Sequence, residues 1–406
     1  MDCMERYRRC LIGLLFVSLV GLGFLSYTEV RDRIPDSYIQ TEGEPNPSYP
    51  SPFVTEEIEP QAAQASANAY ASDSYAISYK YLGLIPLKEA KVEVIEPVYV
   101  IPGGIPIGIY METEGILIVG TGSVTSLDGM DYEPAYKIVQ AGDYIQAVNG
   151  ETVLGKEELI ERINEAGDEE VVLSLDRKGE KVEVKIQAVQ TGAEEYKLGI
   201  WVRDNTQGIG TLTFLTEDEQ FGALGHGIND VDTGTLLELS EGKLYDTKIM
   251  DIKKGEKGKP GEISGTIRYQ DELVCGQIVE NTPVGIFGSG KERLSQKLEQ
   301  EKLQVGYKQE IKIGTAWVRS SVSGEMKDYQ VEITEVYRKE EDVNKGMVLK
   351  VTDPELLNLT GGIIQGMSGS PIIQNGKVVG AVTHVFVQDS TKGFGVFIEN
   401  MLEHVN

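Results

Sequence analysis

The sequence predicts a mostly β protein with an N-terminal membrane anchor followed by two folded domains, and three observations lead to this prediction. From about residue 81 onward, short apolar segments alternate with glycine-rich turn signals, which is typical of many short strands. Helical patterns are scarce in that region, and the strongest spans residues 291–303. Near the N-terminus, residues 11–27 form one apolar run without a charge. At 406 residues, the chain is long enough for more than one hydrophobic core.

The composition narrows the range of partners. The formal net charge of −26 repels phosphate groups, and no stripe of Lys and Arg interrupts the acidic surface, so nucleic acid is excluded as a partner. Of the three cysteines, Cys3 and Cys10 precede the apolar run. Cys275 is therefore alone in the folded part, and no disulfide framework is expected there. No metal ion or other cofactor is expected.

The first element, residues 1–28, is predicted to be a signal or anchor segment. Arg6, Arg8 and Arg9 precede the apolar run, which is near the short end for a spanning helix and also fits a long signal-peptide core. No clear small-residue cleavage site follows, which favours an uncleaved anchor with the rest of the chain across the membrane. Residues 29–80, rich in Pro, Ala and Ser, are predicted to form an extended tether.

The second element, residues 81–190, is predicted to be a small folded domain of short strands with one helix. Residues 91–96 alternate as a strand does, and a Gly-Asp-x-Ile-x-x-Val-Asn-Gly run ends in the turn signal Asn149-Gly150. A short amphipathic helix around Leu159 and Ile163 and a hairpin of residues 171–175 and 182–186 follow.

Together, these features resemble a PDZ domain. The resemblance implies a loop whose backbone amides hold the C-terminal carboxylate of a peptide ligand. The residues assigned to it are Gly104, Ile105, Ile107, Gly108 and Ile109. Pro106 departs from the pattern because it removes one possible donor. The alternative is a packing domain that only positions its neighbour.

The third element, residues 195–406, is predicted to be a barrel or a pair of barrels because it contains many short strands with turn signals. Within it, the stretch Gln-Gly-Met-Ser-Gly-Ser-Pro around Ser368 can present a hydroxyl group and bare backbone amides to the same carbonyl. We expect the N–H groups of Gly366 and Ser368 to form an oxyanion hole, since the flanking glycines make the necessary curl sterically easy. The alternative is a tight turn without chemistry.

A serine nucleophile needs a general base, and the chain contains only three histidines: His226, His384 and His404. His226 lies in Ala-Leu-Gly-His-Gly directly after a predicted strand, which makes it the candidate base. Thr383 and His384 are expected to line the substrate groove. Pro371 and a hairpin turning at Asn375-Gly376 follow the serine, which excludes an α/β-hydrolase elbow because that layout needs a helix there.

His226 upstream of Ser368 in a strand-rich domain resembles a trypsin-like double β-barrel protease, although Met367 and Ser370 depart from the Gly-Asp-Ser-Gly-Gly-Pro pattern. The anchor, the PDZ-like domain and the two motifs together resemble the SpoIVB serine peptidases of endospore-forming bacteria. This resemblance implies Asp353 as the acid that orients His226, by its spacing from the serine, with Asp246 as the next candidate.

The same resemblance implies a signalling endopeptidase anchored to the forespore inner membrane and facing the space between forespore and mother cell. Such an enzyme cleaves itself near its N-terminus and cuts a membrane-bound regulator of an intramembrane protease, which leads to sigma-K activation in sporulation. The tether is the expected place of self-cleavage. The competing hypothesis is a non-catalytic adaptor whose PDZ-like groove binds a partner while the barrel domain is a scaffold.

Overall fold

The computed structural model describes residues 2–49, 51–59, 74–338 and 342–405, and it divides into two compact units, Met1–Val98 and Tyr99–Asn406. The elements of the first unit are α1 (Asp2–Arg33), β1 (Ser37–Thr41), β2 (Val54–Glu59), β3 (Ser74–Tyr81) and β4 (Ile85–Ile95).

The first unit combines a long helix with a small sheet. Helix α1 contains one candidate membrane span, Tyr7–Arg33, which is long and apolar enough to cross a bilayer. The sheet has the order β1-β4-β3-β2, with β1 parallel to β4. In β3, the side chains of Ile77, Tyr79 and Tyr81 alternate with more exposed ones and face a core that also contains Ile34.

The prediction of an extended tether over residues 29–80 is wrong for the part of that range that the structure describes. β1 and β2 fall inside it, as does β3 except for its last residue, and β1 obtains its partner from residues 91–95, about fifty positions further along the chain. A pairing at that separation leaves no local signal. The Ala-rich run of residues 61–67 lies outside the described residues.

The second unit contains the remaining strands. Its elements up to the end of the first long crossover are β5 (Tyr99–Pro102), β6 (Pro106–Thr121), β7 (Val124–Thr125), β8 (Asp131–Tyr132), β9 (Tyr144–Val148), β10 (Glu151–Thr152), α2 (Lys156–Ala166), β11 (Glu170–Arg177), β12 (Glu180–Gln187), β13 (Val189–Gln190), β14 (Tyr196–Lys197) and β15 (Ile200–Leu215).

The chain continues with β16 (Gln220–Ala223), β17 (Leu239–Lys253), β18 (Glu262–Ile267), a 3-10 turn (Asp271–Leu273), β19 (Val274–Thr282), β20 (Gly285–Gly290), α3 (Glu292–Ser295), β21 (Leu303–Val305), β22 (Gly314–Ser320), β23 (Lys327–Val336), β24 (Met347–Val351), α4 (Pro354–Thr360), β25 (Pro371–Gln374), β26 (Lys377–Phe386), β27 (Asp389–Phe397) and α5 (Ile398–Leu402).

Two closed six-stranded barrels form the framework of this unit. In the first barrel the strands pair in the cycle β6, β15, β16, β20, β19, β17 and back to β6. In the second barrel the cycle is β26, β25, β22, β23, β24, β27 and back to β26. Closure leaves no free sheet edge within either ring, and each ring encloses its own apolar core. The structure thus confirms the predicted double barrel.

A third core belongs to a domain inserted into the first barrel, here called the inserted domain (residues 114–204). The first half of β6 pairs in the barrel, whereas its second half pairs with β9 and with the start of β15 in the inserted domain. The predicted turn at Asn149-Gly150, the helix α2 and the hairpin β11–β12 are all confirmed. Leu159 and Ile163 of α2 face the core as expected.

The predicted boundaries of this domain, 81–190, do not agree with the structure. β4 belongs to the first unit, and residues 99–113 supply strands of the first barrel, so the barrel region also begins before residue 195. One continuous strand serves two sheets here, and its sequence alone does not indicate where the change occurs. The predicted helix at 291–303 is also wrong: α3 has only four residues, and the end of the predicted range already belongs to β21.

Candidate active site

The Ser368 loop lies in the second barrel and is held by the first. Thr211 of β15 donates its N–H to the Ser368 carbonyl at 3.0 Å and its hydroxyl to the Gly366 carbonyl at 2.7 Å. Thr213 donates its hydroxyl to the Gly369 carbonyl at 2.8 Å. A Cβ atom on Gly369 would lie 2.1 Å from the Thr211 carbonyl oxygen, and the φ angle of Gly369 is +96°. Glycine is therefore required where the two barrels meet at this loop.

Two backbone N–H groups in the loop are available to a ligand. Among the described residues, neither the N–H of Gly366 nor that of Ser368 donates to a protein group, whereas Met367, Gly369 and Ser370 all donate theirs. Gly366 has a φ angle of +97°, a conformation that a residue with a side chain rarely adopts. The free donors are those that the sequence assigned to the oxyanion hole, and their availability fits that role.

His226 follows β16 of the first barrel, after Leu224 and Gly225, which both have φ angles of +71°. The ring is half-buried, and its Nδ1 lies 2.8 Å from the Gly227 carbonyl oxygen. Burial lowers the pKa of His226, and the bond to Gly227 opposes this shift only in part. In the neutral ring, Nδ1 carries the hydrogen that this carbonyl accepts, which leaves Nε2 free to accept a proton.

Ser368 and His226 line the same cavity of about 470 Å³, together with Gly366, Thr383 and His384. The Ser368 hydroxyl donates to the Thr383 carbonyl at 2.6 Å and makes no hydrogen bond to His226 in the described part of the chain. The hydroxyl of the candidate nucleophile is thus held by a backbone carbonyl in this conformation. Rotation about the Ser368 Cα–Cβ bond is needed before the hydroxyl can bond to His226.

His384 is a further member of the site, located where the sequence predicts a groove residue. Its ring packs on His226 with 4.7 Å between ring centroids and 36° between planes. Although the side chain is exposed overall, the part against His226 is withdrawn from water. This desolvation, followed by the nearby His226 and Lys345, lowers the pKa of His384, while Asp342 acts in the opposite direction.

Asp353 is not placed as predicted. It lies directly before α4 and caps that helix: Oδ1 accepts the N–H groups of Glu355 at 2.9 Å and Leu356 at 3.0 Å. Oδ2 accepts the N–H of Gln330 at 3.3 Å. No hydrogen bond joins Asp353 to His226 among the described residues. The run Asp353-Pro354-Glu355 carried the signal of this role, since Asp at the N-cap and Pro at the first helical position begin many helices.

The second candidate acid is also engaged elsewhere. Asp246 forms ion pairs with Arg293 and Lys297 in the first barrel. Burial and the Gly227 carbonyl are the causes of the pKa shift of His226, and among the described residues no carboxylate makes a hydrogen bond to its ring. In this conformation a backbone carbonyl therefore holds the position at Nδ1 that an acid occupies in a Ser-His-Asp triad.

The predicted peptide-binding residues lie in the first barrel and its entry. Ile107, Gly108 and Ile109 pair on one side with β15 and on the other with β17. Since both edges of this segment are occupied, no peptide can add to it as a strand, and the prediction is wrong. Gly104 contributes its carbonyl to Ser321, and Ile105 packs against the core of the first barrel.

The inserted domain has a separate cavity of about 560 Å³. It lies between α2 and the start of β15, and Ile160, Leu198 and Trp201 are among its lining residues. Within the described chain, no group of three or more His, Cys, Asp or Glu side chains is arranged to hold a metal ion.

A histidine from one six-stranded barrel and a glycine-framed serine from a second, facing one cavity, define a serine peptidase of the trypsin-like double-barrel class. A family model described as SpoIVB peptidase S55 matches residues 194–402, more than half of the chain. The chain belongs to this family and is a serine peptidase.

Solved structures give weaker likenesses. The Rv3671c protease from M. tuberculosis in its active form is 17% identical, with 50% of this chain and 75% of that chain covered and a TM-score of 0.30. The HtrA-type protease AlgW with a tripeptide is 12% identical, with 48% of this chain covered and a TM-score of 0.29; the match spans only 54% of the AlgW chain. A search of curated proteins finds no match.

Proposed function

We propose that this chain is a membrane-anchored serine endopeptidase in which Ser368 is the nucleophile, His226 the general base, and the N–H groups of Gly366 and Ser368 the oxyanion donors. The observation that carries the proposal is the meeting of Ser368 and His226, from different barrels, at one cavity with two unoccupied backbone donors beside the hydroxyl.

In the first half of the reaction, the Ser368 hydroxyl leaves the Thr383 carbonyl and attacks the peptide carbonyl carbon while Nε2 of His226 takes its proton. The carbonyl oxygen becomes negative and accepts hydrogen bonds from Gly366 and Ser368. His226 then gives the proton to the leaving amine, and an acyl-enzyme ester remains. In the second half, His226 removes a proton from water, which attacks the ester, and then returns the proton to Ser368 as the acid product leaves.

The substrates proposed are the chain's own N-terminal region and a membrane-bound regulator of an intramembrane protease, whose cleavage leads to sigma-K activation in sporulation. Membership of the SpoIVB family supports this proposal, and so does the apolar helix α1, which is suited to an anchor in the forespore inner membrane. In the first unit, the described strands are paired along their backbones, so self-cleavage within them requires local opening.

The test is self-cleavage of the full chain reconstituted in lipid vesicles, with fragments followed by mass. We expect the wild type to release an N-terminal fragment, and Ser368→Ala and His226→Ala to remain intact. Ser370→Ala is the matched control, because Ser370 is fully buried two positions away and its hydroxyl has no hydrogen-bond partner in the described structure. The same fragments from Ser368→Ala and wild type would refute the proposed nucleophile.

The cavity of the inserted domain favours a second activity, the binding of a peptide C-terminus in a PDZ-like groove. Ile200–Arg203 pair with β6 on one side, and α2 lies near this part of β15. If the chain acted only as an adaptor through this groove, Ile160→Lys would abolish its effect on a partner whereas Ser368→Ala would not. We expect instead that Ser368→Ala abolishes the effect, measured as cleavage of the partner.

A further inference from the structure

An exposed apolar cluster lies at the tip of the hairpin formed by β3 and β4 in the first unit. The cluster, here called the hairpin tip, consists of Phe53, Leu82, Leu84 and Ile85, whose exposed fractions are 49%, 59%, 85% and 51%. Phe53 belongs to it because its carbonyl accepts the N–H of Leu82 at 2.7 Å. Single exposed apolar residues are ordinary, but four grouped at one turn need an explanation.

The turn itself is unusual in its residue types. Leu84 donates its N–H to the Tyr81 carbonyl at 3.1 Å, and Leu82 and Gly83 have φ angles of +51° and +75°. Turns of this kind normally contain Asn, Asp or Gly at the first of these positions, since these residues tolerate a positive φ and expose no apolar side chain. Leucine at this position strains the backbone and exposes an apolar side chain to water. Its presence indicates that the side chain has a use outside the fold.

The hairpin tip is held against the end of helix α1. The Tyr81 hydroxyl donates to the Ser26 hydroxyl oxygen at 3.0 Å, and the Tyr27 hydroxyl donates to the Pro86 carbonyl at 3.0 Å. The rings of Tyr27 and Tyr81 meet edge to face with 6.0 Å between their centroids. The residues on either side of the turn are thus fixed to one place on the helix.

That place coincides with the boundary of the apolar span. Between Arg9 and Glu29 the helix has 19 residues without a charge. At 1.5 Å per residue they extend about 28 Å, which matches a hydrocarbon core of about 30 Å. Ser26 and Tyr27 lie in the last turn of this stretch, where a tyrosine is typical of the membrane–water interface.

We propose that the hairpin tip inserts into the lipid surface beside the exit of helix α1, so that the sheet of the first unit contacts the membrane at a second point. The occupant is a bilayer and not another protein, because the bonds to Ser26 and Tyr27 place the tip next to the interface that the helix itself defines. Insertion removes the exposed leucines from water and fixes the orientation of the sheet to the membrane plane.

The experiment uses the full chain in vesicles of phosphatidylcholine and phosphatidylglycerol, with or without phosphatidylcholine brominated along its acyl chains, which quenches tryptophan on contact. Leu84→Trp places the probe at the hairpin tip. Ile58→Trp is the matched control: Ile58 is exposed and apolar on the same sheet, but lies four residues from Val54, about 13 Å further along β2. Trp201 and Trp317 give the same background in both variants.

We expect the added emission of Leu84→Trp to shift to shorter wavelength and to be quenched about twofold or more by the brominated lipid, with little quenching of Ile58→Trp. Equal quenching in the two variants would overturn the proposal. A shift of the Leu84→Trp emission without quenching would also overturn it, since a protein partner or a second copy would then cover the tip. If the chain does not float with the vesicles, helix α1 is not a membrane anchor, and the proposal is overturned because insertion depends on that anchor.

Discussion

Replacement of Asp353 distinguishes a helix cap from a catalytic acid, because the two roles respond differently to asparagine. The Asp353 carboxylate accepts two N–H groups at the start of α4 and a third from Gln330. Alanine removes all three bonds. Loss of an N-cap costs about 1 kcal/mol, which corresponds to a fall of roughly 1–2 °C in melting temperature for a unit as large as Tyr99–Asn406. Asparagine keeps an acceptor oxygen and caps nearly as well.

For Asp353→Asn we therefore expect a loss of about 0.3–1 kcal/mol, which is the lost attraction of the charge to the helix N-terminus. We also expect self-cleavage to remain within about tenfold of wild type, since the orienting bond of His226 in the structure comes from Gly227. The assay is the rate of self-cleavage in vesicles, followed by mass, with thermal unfolding measured on the same samples.

A catalytic role of Asp353 would give a different result. A catalytic acid replaced by its amide loses about four orders of magnitude in rate while the fold is kept, because the histidine is then held in the wrong tautomer. A loss of that size in Asp353→Asn, with its melting temperature near that of wild type, would refute the cap interpretation. It would also mean that the active conformation brings Asp353 to His226 by a rearrangement of α4.

Two further predictions concern the base and the loop. Burial lowers the pKa of His226 from its ordinary value of 6.5, so the ring is still neutral at a pH somewhat below 6.5. We therefore expect the acid limb of the pH profile of self-cleavage to have its midpoint below pH 6.5. A midpoint above that value would contradict a buried base. Gly369→Ala should abolish cleavage and lower stability by more than the about 1–3 kcal/mol of backbone strain at positive φ, since its Cβ would also collide with the Thr211 carbonyl oxygen at 2.1 Å. In Gly376→Ala, with a φ of +77° but open space around it, only the backbone strain remains, so that cleavage persists.

Local signals in the sequence predicted local structure correctly. The turn at Asn149-Gly150, the amphipathic face of α2 and the hairpin around Asn375-Gly376 depend on residues within a few positions of one another, and all three are present. The motif around Ser368 and the motif around His226 also carried enough information to indicate a serine peptidase. The glycines of these motifs are needed for positive φ angles and for close backbone approach at the site. The sequence therefore marks the site by the glycines that flank the serine and the histidine.

Contacts between distant residues account for the errors. β1 became a strand through a partner some fifty residues later, where composition alone indicated a tether. β6 serves both the first barrel and the inserted domain, which displaced the predicted domain boundary and the predicted peptide loop. Asp353 was assigned by its spacing from the serine, although the neighbouring Pro354 already indicated a helix start.

The sequence by itself determined the β-rich class and the apolar N-terminal helix, and it indicated Ser368 and His226 as the candidate nucleophile and base, because turn propensity, periodicity and side-chain chemistry are properties of short segments. Only the tertiary structure decided that Thr211 of one barrel holds the Ser368 loop of the other, that Thr383 holds the hydroxyl, and that Gly227 holds Nδ1 of His226. The first of these bonds joins residues 155 positions apart and the second joins residues 15 positions apart. All three depend on how the folded backbone directs its carbonyl groups, which no short pattern of side chains records.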